Sequence, residues 1–441
     1  MQELSVALVQ RDTNPCQLVE QALARAACSP NTFISLRTRE VLEEAEQSDV
    51  RWREGRPLSS LDGVPIAWKD LIDVQGMITT AGSPAVALDA AITDRDAVVV
   101  RNTKRLGLLA LGKTNLSELA YSGLNLHFGT PGDGIRVPGG SSSGSAIAVR
   151  DGVVAASIGT DTAGSIRIPA ALNGLVGFKA SPSRYDMSGV FPLASSFDSV
   201  GPICRTVADC VTMDAAMRGK MKPNISPASS PPKFVVDMGI LEDGVRNNFI
   251  GFVERLSDAG AGVENRRVVA VERSRKAFDD IGWLGAAEAY ALHKKLLVGG
   301  SRELLDPRIV ARLEAATSLG AAEIAILRDL RAELIGNIAR ELGGAILLMP
   351  TVKHVAPRLS HMEGDVDLFA KVNLATLSLT MIGSFLNMPG IAVPTGRSIG
   401  LATSALLSGA VDSDEGVLSA ALWVEKYISP MPTDDLRFRV G

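Results

Sequence analysis

The chain has 441 residues, 46% of them hydrophobic and 21% charged, with a formal net charge of −4. That balance suits a globular protein with length for a large core, and it offers no strongly basic run of the kind that binds nucleic acid. MQELSVALVQRDTNP is too polar for a secretory signal and no stretch is apolar enough to span a membrane, so a cytoplasmic protein is expected. Cys16, Cys28, Cys204 and Cys210 form no zinc or redox spacing and fit a reducing compartment. His127, His293, His354 and His361 lack helical metal-ligand spacing, so no metal site is expected.

In chain order, PCQLVEQALARAA and TREVLEEAEQSDVRWREG read as two amphipathic helices separated by a loop at Cys28–Phe33. LDGVPIAWKD reads as a short buried strand entering a charged turn, and VVVRNTKRLG followed by LLALGKTN as a helix and then a strand. SGSAIAVRDG predicts a short serine-capped helix, VVAASIG a buried strand, and IRIPAALNG a turn with a helical segment. MKPNISPASSPPK (221–233) has the composition of a linker, and about 240–345 is mostly helical. GGAILLMP and MPGIAVPTG return to strand character. The expected architecture is α/β: a single large domain over 1–441, with a central mixed β-sheet covered by helices on both faces and a helical excursion at about 240–345.

Residues 107–114, GLLALGKT, match the G-x-x-x-x-G-K-[ST] phosphate loop letter for letter. The context is wrong for a nucleotide, because a helix rather than a strand precedes Gly107 and the loop positions are Leu-Leu-Ala-Leu. Lys113 is expected at the solvent edge of a strand.

The remaining chemistry is distributed. GTDTAGSIRIP (159–169) presents Ser165 on a small-residue turn with no histidine within thirty positions, so the serine is either structural or activated by another base. PGGSSSGS (138–145) carries Ser141, 24 positions earlier, and VPIAWKD sets Lys69 at the end of an apolar run. Taken alone, that lysine reads as a snorkelling side chain; held out of water, its pKa would fall far enough for it to serve as a base.

In combination, DGVPIAWKDLIDVQGMITTAGS, PGGSSSGSAIAV and GTDTAGSIRIPAALNGLVGFK resemble the amidase signature family of serine hydrolases, with GVFPLASSFDSVGP, GKTNLSELA and GRPLSSLDGVP as further likeness. The resemblance is dense from about 15 to 215, with a signature core at about 60–215, and thinner beyond. It implies Ser165 as nucleophile, Ser141 as bridging serine in a cis Gly140–Ser141 peptide, and Lys69 as general base. It also implies an oxyanion hole of backbone N–H groups from Thr162, Ala163, Gly164 and Ser165, with no cofactor. Asp161 and Arg167 are expected to brace the turn, Ser142 and Ser143 to supply support and a helix cap, and Tyr121 and Phe191 to line the pocket or the core. His127, the histidine nearest the motif in sequence, reads as a loop residue at the pocket mouth, with base for Ser165 as the runner-up reading.

Ala163 stands where the family more often has glycine. The segment from Tyr121 to Pro138 is short, and GRSIGLATSALLSG replaces a Gly-Leu-Pro-x-Gly-like strand; both leave substrate identity open. The implied activity is hydrolysis of a small linear carboxamide through an acyl-enzyme, by a chain with no membrane or direct nucleic-acid partner and a possible homodimer. The alternatives are the glutamine-hydrolysing subunit of a tRNA-dependent amidotransferase and an allophanate-type hydrolase.

Overall fold

The computed structural model describes residues 1–126, 130, 132 and 134–428. Within them the strands are β1 Phe33–Leu36, β2 Pro65–Lys69, β3 Leu109–Thr114, β4 Ala156–Asp161, β5 Val176–Lys179 and β6 Ser199–Cys204. They continue as β7 Lys233–Val236, β8 Gly262–Asn265, β9 Ile346–Pro350, β10 Gly390–Ser398 and β11 Leu401–Ser408. All join one mixed sheet in the order β1-β3-β2-β4-β6-β5-β10-β11-β9-β7-β8. β3, β2 and β4 are mutually parallel, as are β9, β7 and β8, while the strands between these two groups pair antiparallel.

Period-two alternation explains the two covered faces. Ile66 and Trp68 of β2 join one core with Phe234, Leu348 and Leu407, beneath the helices Val207–Met217, Asp243–Asp258 and Asp414–Tyr427. Ala67 turns the other way, to Leu109, Leu111 and the helices Pro15–Ala27, Thr38–Arg53 and Ser143–Arg150. Val235, Leu347, Met349 and Leu406 face that second side further along, where Leu327, Leu334 and Ile338 of the helix Ala321–Leu342 cover them. Buried on both faces, these strands read as continuous apolar runs rather than alternating ones. No helix among the described residues is long and apolar enough to cross a membrane.

Several strands escape the sequence reading, β5 and β6 in the middle of the sheet among them. β1 follows the expected loop and pairs antiparallel with β3 through Phe33 and Thr114. β8 lies inside the helical excursion, and its residues Gly-Val-Glu-Asn are largely exposed at the sheet edge, where no apolar alternation marks them. The helix Gln2–Gln10, which buries Leu4, Ala7 and Leu8, likewise goes beyond the sequence reading.

The phosphate-loop lookalike is a turn and a strand. Gly107 takes φ +84° after the helix Val98–Lys104, and a side chain there would overlap the Asp62 carboxylate. Leu109–Thr114 is β3, buried throughout, so its amides serve the sheet and cannot wrap an anion. Lys113 is not at a solvent edge. It is fully buried, paired with the buried Asp70 at 3.0 Å, and donates to Thr79 Oγ1 at 2.9 Å. Asp70 also accepts from the Thr80 hydroxyl and amide, so this pair pins the turn that follows β2.

Removing one partner strands the other charge in the core. Asp70→Ala is expected to cost about 3–5 kcal/mol in denaturant unfolding, with Asp70→Ala/Lys113→Met costing less than the sum of the two single changes. Additive losses would show that the pair is not coupled.

Candidate active site

The carboxyl ends of the parallel strands β2 and β4 bring Lys69 and Asp161 to one place, the side of an α/β sheet where sites form. Lys69 is fully buried. Its Nζ lies 2.6 Å from Ser141 Oγ and 2.8 Å from Thr160 Oγ1. Burial lowers its pKa to about 7, with attraction to Asp161 and Asp198 opposing part of the fall. The side chain therefore does not snorkel.

Ser141 is equally buried and follows a cis peptide from Gly140. Its carbonyl accepts from the Ser117 amide at 3.1 Å. The next amide, Ser142 N–H, donates to the Ser165 carbonyl at 3.2 Å, which ties the two serine segments together. Ser142 occupies the N-cap of the helix Ser143–Arg150, but its hydroxyl donates to the Thr160 carbonyl at 3.3 Å rather than capping. Ser143 is not a cap either; its Oγ accepts from Asn125 Nδ2 at 2.6 Å.

Asp161 and Arg167 brace the Ser165 turn, as expected. Both are fully buried, and the guanidinium donates twice to the carboxylate, at 2.9 Å each. Asp161 also accepts from the Gly164, Ile166 and Arg167 amides at 2.8, 3.1 and 3.4 Å. Burial would raise its pKa, but the Arg167 charge and these bonds hold it at about 2.

One expected oxyanion donor is thus already engaged. The Gly164 amide points at Asp161, whereas no hydrogen bond from the Ala163 or Ser165 amide forms among the described residues. Gly164 has a different task. Its φ is +138°, and a Cβ would overlap Thr380 Oγ1, a hydroxyl that donates to the Ala163 carbonyl at 2.6 Å. Thr162 is fixed from its other side, its hydroxyl donating to Asp198 at 2.6 Å. Burial raises the Asp198 pKa to about 6, against the Thr162 bond and the Leu193 and Ala194 amides.

Ser165 Oγ forms no hydrogen bond among the described residues, and Ser165 lines a cavity of about 250 Å³ together with Thr162, Ala163, Tyr121, Trp283 and Arg312. Phe191 belongs to a neighbouring core, stacked on His293 at 5.5 Å between ring centroids. His127 lies outside the described residues.

Sequence reasoning misses Thr160, Asp198, Trp283 and Arg312. Arg312 does carry a signal. On the helix Pro307–Ala315 it falls three positions after the buried Ile309 and one before the buried Leu313, within the apolar stripe.

A buried amine against a serine, a braced serine turn and an adjoining cavity at the strand ends make up a site suited to a hydrolase that uses serine without histidine. The chain belongs to the amidase family, whose sequence profile matches residues 17–418, and it is an enzyme of amide C–N bond hydrolysis. It is 30% identical over 472 residues to mandelamide hydrolase of Pseudomonas putida, covering 98% of this chain and 92% of that one. It is 29% identical over 498 residues to a glutamyl-tRNA(Gln) amidotransferase subunit of Anaeromyxobacter sp. (strain K), covering 98% and 96%. A crystal structure of an amidase, 30% identical, superposes with a TM-score of 0.84 over 96% of this chain and 98% of that one.

Because Gly164 meets both a positive φ and a packed Thr380, Gly164→Ala is expected to cost about 2 kcal/mol or more in unfolding free energy and to displace the Ser165 turn. Slower covalent labelling of Ser165 by a fluorophosphonate, at a temperature where the variant is folded, is the matching readout. A variant labelled at the wild-type rate would refute the steric argument.

Proposed function

We propose that this enzyme hydrolyses a small linear carboxamide through an acyl-enzyme on Ser165, with Ser141 as proton bridge and Lys69 as general base. The observation that carries the reading is the Lys69 Nζ–Ser141 Oγ contact of 2.6 Å, made by an amine that burial brings to about 7. At that pKa about half of the lysine is neutral near pH 7, against well under about 1% for an exposed lysine.

In the forward step neutral Lys69 takes the Ser141 proton while Ser141 takes the proton of Ser165. Ser165 Oγ forms a bond to the amide carbon, and the negative oxygen settles on backbone N–H groups of Thr162, Ala163 and Ser165. Lys69, now charged, returns a proton through Ser141 to the nitrogen, the C–N bond breaks, and ammonia or an amine leaves neutral. Water then attacks the ester by the same relay and frees the acid. The hydroxyl of Thr160 on Lys69 gives the amine a second fixed partner, so its lone pair keeps its aim as the proton moves.

The apolar cavity and the likeness to mandelamide hydrolase support a compact acyl group with an aromatic or aliphatic body. The full-length likeness to an amidotransferase subunit favours a second reading, in which glutamine is the amide and its ammonia passes to partner subunits. Ammonia release from small amides by the purified chain alone separates the two; release only from glutamine and only with partners would select the second.

Ser165→Ala is expected to abolish fluorophosphonate labelling and turnover, and Lys69→Met and Ser141→Ala to lower kcat by roughly 10³-fold or more. Full activity in either of the latter would break the relay. Since the protonated amine cannot accept a proton, kcat/KM should fall about tenfold per pH unit below about 7. A profile flat from pH 5 to 8 would exclude Lys69 as the base.

A further inference from the structure

The cavity beside Ser165 is walled by small and apolar side chains, and among its lining residues Arg312 alone carries a full charge. That guanidinium makes no hydrogen bond or ion pair among the described residues, and its Nε is buried without a partner. The ring of Tyr121 lies against it, 4.7 Å from the guanidinium carbon. The arginines around it fare differently. Arg308, one turn earlier, is held by Asp306 at 2.6 Å; Arg302 takes Glu314, the acid on the helix of Arg312; Arg331 donates to the Phe385 carbonyl at 2.9 Å.

Such an arrangement is costly for the fold alone. A guanidinium placed in an apolar stripe gives up water, and a desolvated cation–π contact returns on the order of 2 kcal/mol, less than the several kcal/mol a buried charge can cost. Burial already pushes the Arg312 pKa down, with Tyr121 opposing. The five donors of a guanidinium form a planar fork that a carboxylate fills with two parallel bonds. At about 250 Å³ the chamber is small even for a ligand pocket.

We propose that Arg312 receives a carboxylate carried by the substrate, so that the preferred substrates are small amides with an anionic end separated from the scissile bond by a short apolar body. The proposal rests on Ser165 being the reacting serine. Tyr121 packs its ring on the guanidinium, and Trp283 and Leu319 line the chamber where the apolar body would sit. The acid side of specificity thus comes from the helix Pro307–Ala315, far in sequence from the chemistry.

The test compares ω-carboxyalkanamides and 4-carbamoylbenzoate with neutral methyl-ended amides of equal heavy-atom count, read as ammonia release. The wild type should favour the anionic members by roughly 100-fold in kcat/KM, the scale of a lost charge-assisted pair. In Arg312→Met the ratio should collapse toward one, mainly through KM, and Arg312→Lys should recover only part of it. A second arm needs no turnover: benzoate should slow fluorophosphonate labelling of wild-type Ser165 more than benzyl alcohol does, and lose that advantage in Arg312→Met. Labelling itself shows that the variant is folded. Equal handling of charged and neutral amides, or equal protection by both probes, would overturn the carboxylate site while leaving amide hydrolysis intact. Carboxylate protection without hydrolysis of any amide would keep the site and remove the small-amide reading instead.

Discussion

The structure depends on keeping one amine dry. Lys69 ends a strand buried on both faces, and among the described residues only Ser141 and Thr160 receive its Nζ within hydrogen-bond reach. Desolvation is normally a cost to be avoided, but here it tunes the amine, because a lysine begins far above neutrality and burial brings it down to about 7. Histidine in the same enclosure would start near 6.5 and be driven lower, leaving a weaker base. On the proposed mechanism, then, the serine turns need no histidine.

The neighbouring charges are arranged so that the amine stays free. Asp161 lies close enough to raise the Lys69 pKa, and a carboxylate bonded directly to Nζ would hold the lysine protonated. Arg167 prevents this by taking both carboxylate oxygens, while the remaining acceptor capacity of Asp161 goes to the amides of the Ser165 turn. One ion pair thus shapes the Ser165 turn and screens Lys69. Lys113 and Asp70 form a second buried pair just past the end of β2, so the chain leaves Lys69 on a rigid support.

Legibility in the sequence follows locality. Lys69, Ser141 and Ser165 stand in short motifs whose glycines and serines are dictated by backbone geometry, and the buried strands β2, β3 and β4 announce themselves as apolar runs. Lys113 misleads because a lysine ending an apolar run looks the same whether it reaches water or Asp70; only the fold of the following turn decides. Gly164 falls among the expected oxyanion donors because a sequence shows an amide but not what it faces. The edge strand β8 escapes for want of apolar alternation. Arg312 escapes because a helix pattern gives the buried face and not the neighbour that face meets, and Trp283 because it sits in a connecting turn with no pattern of its own.

That last failure reflects how the molecule divides its work. Lys69 and the Ser165 turn follow from strand ends, whose positions the sheet fixes, whereas much of the cavity wall comes from the helical region at 281–319 and from Leu374, Leu377 and Met381. The helices can change their side chains without disturbing Lys69, which fits an enzyme family in which similar chemistry accompanies different amides. It also separates two cations that would otherwise compete. Arg312 is the one charged side chain among the described residues that line the chamber, so under the proposal above an anionic substrate end is drawn toward the helix and the amide end is left to meet the serine. A carboxylate settling beside Lys69 would instead raise its pKa and hold it protonated, which the proposed mechanism does not allow.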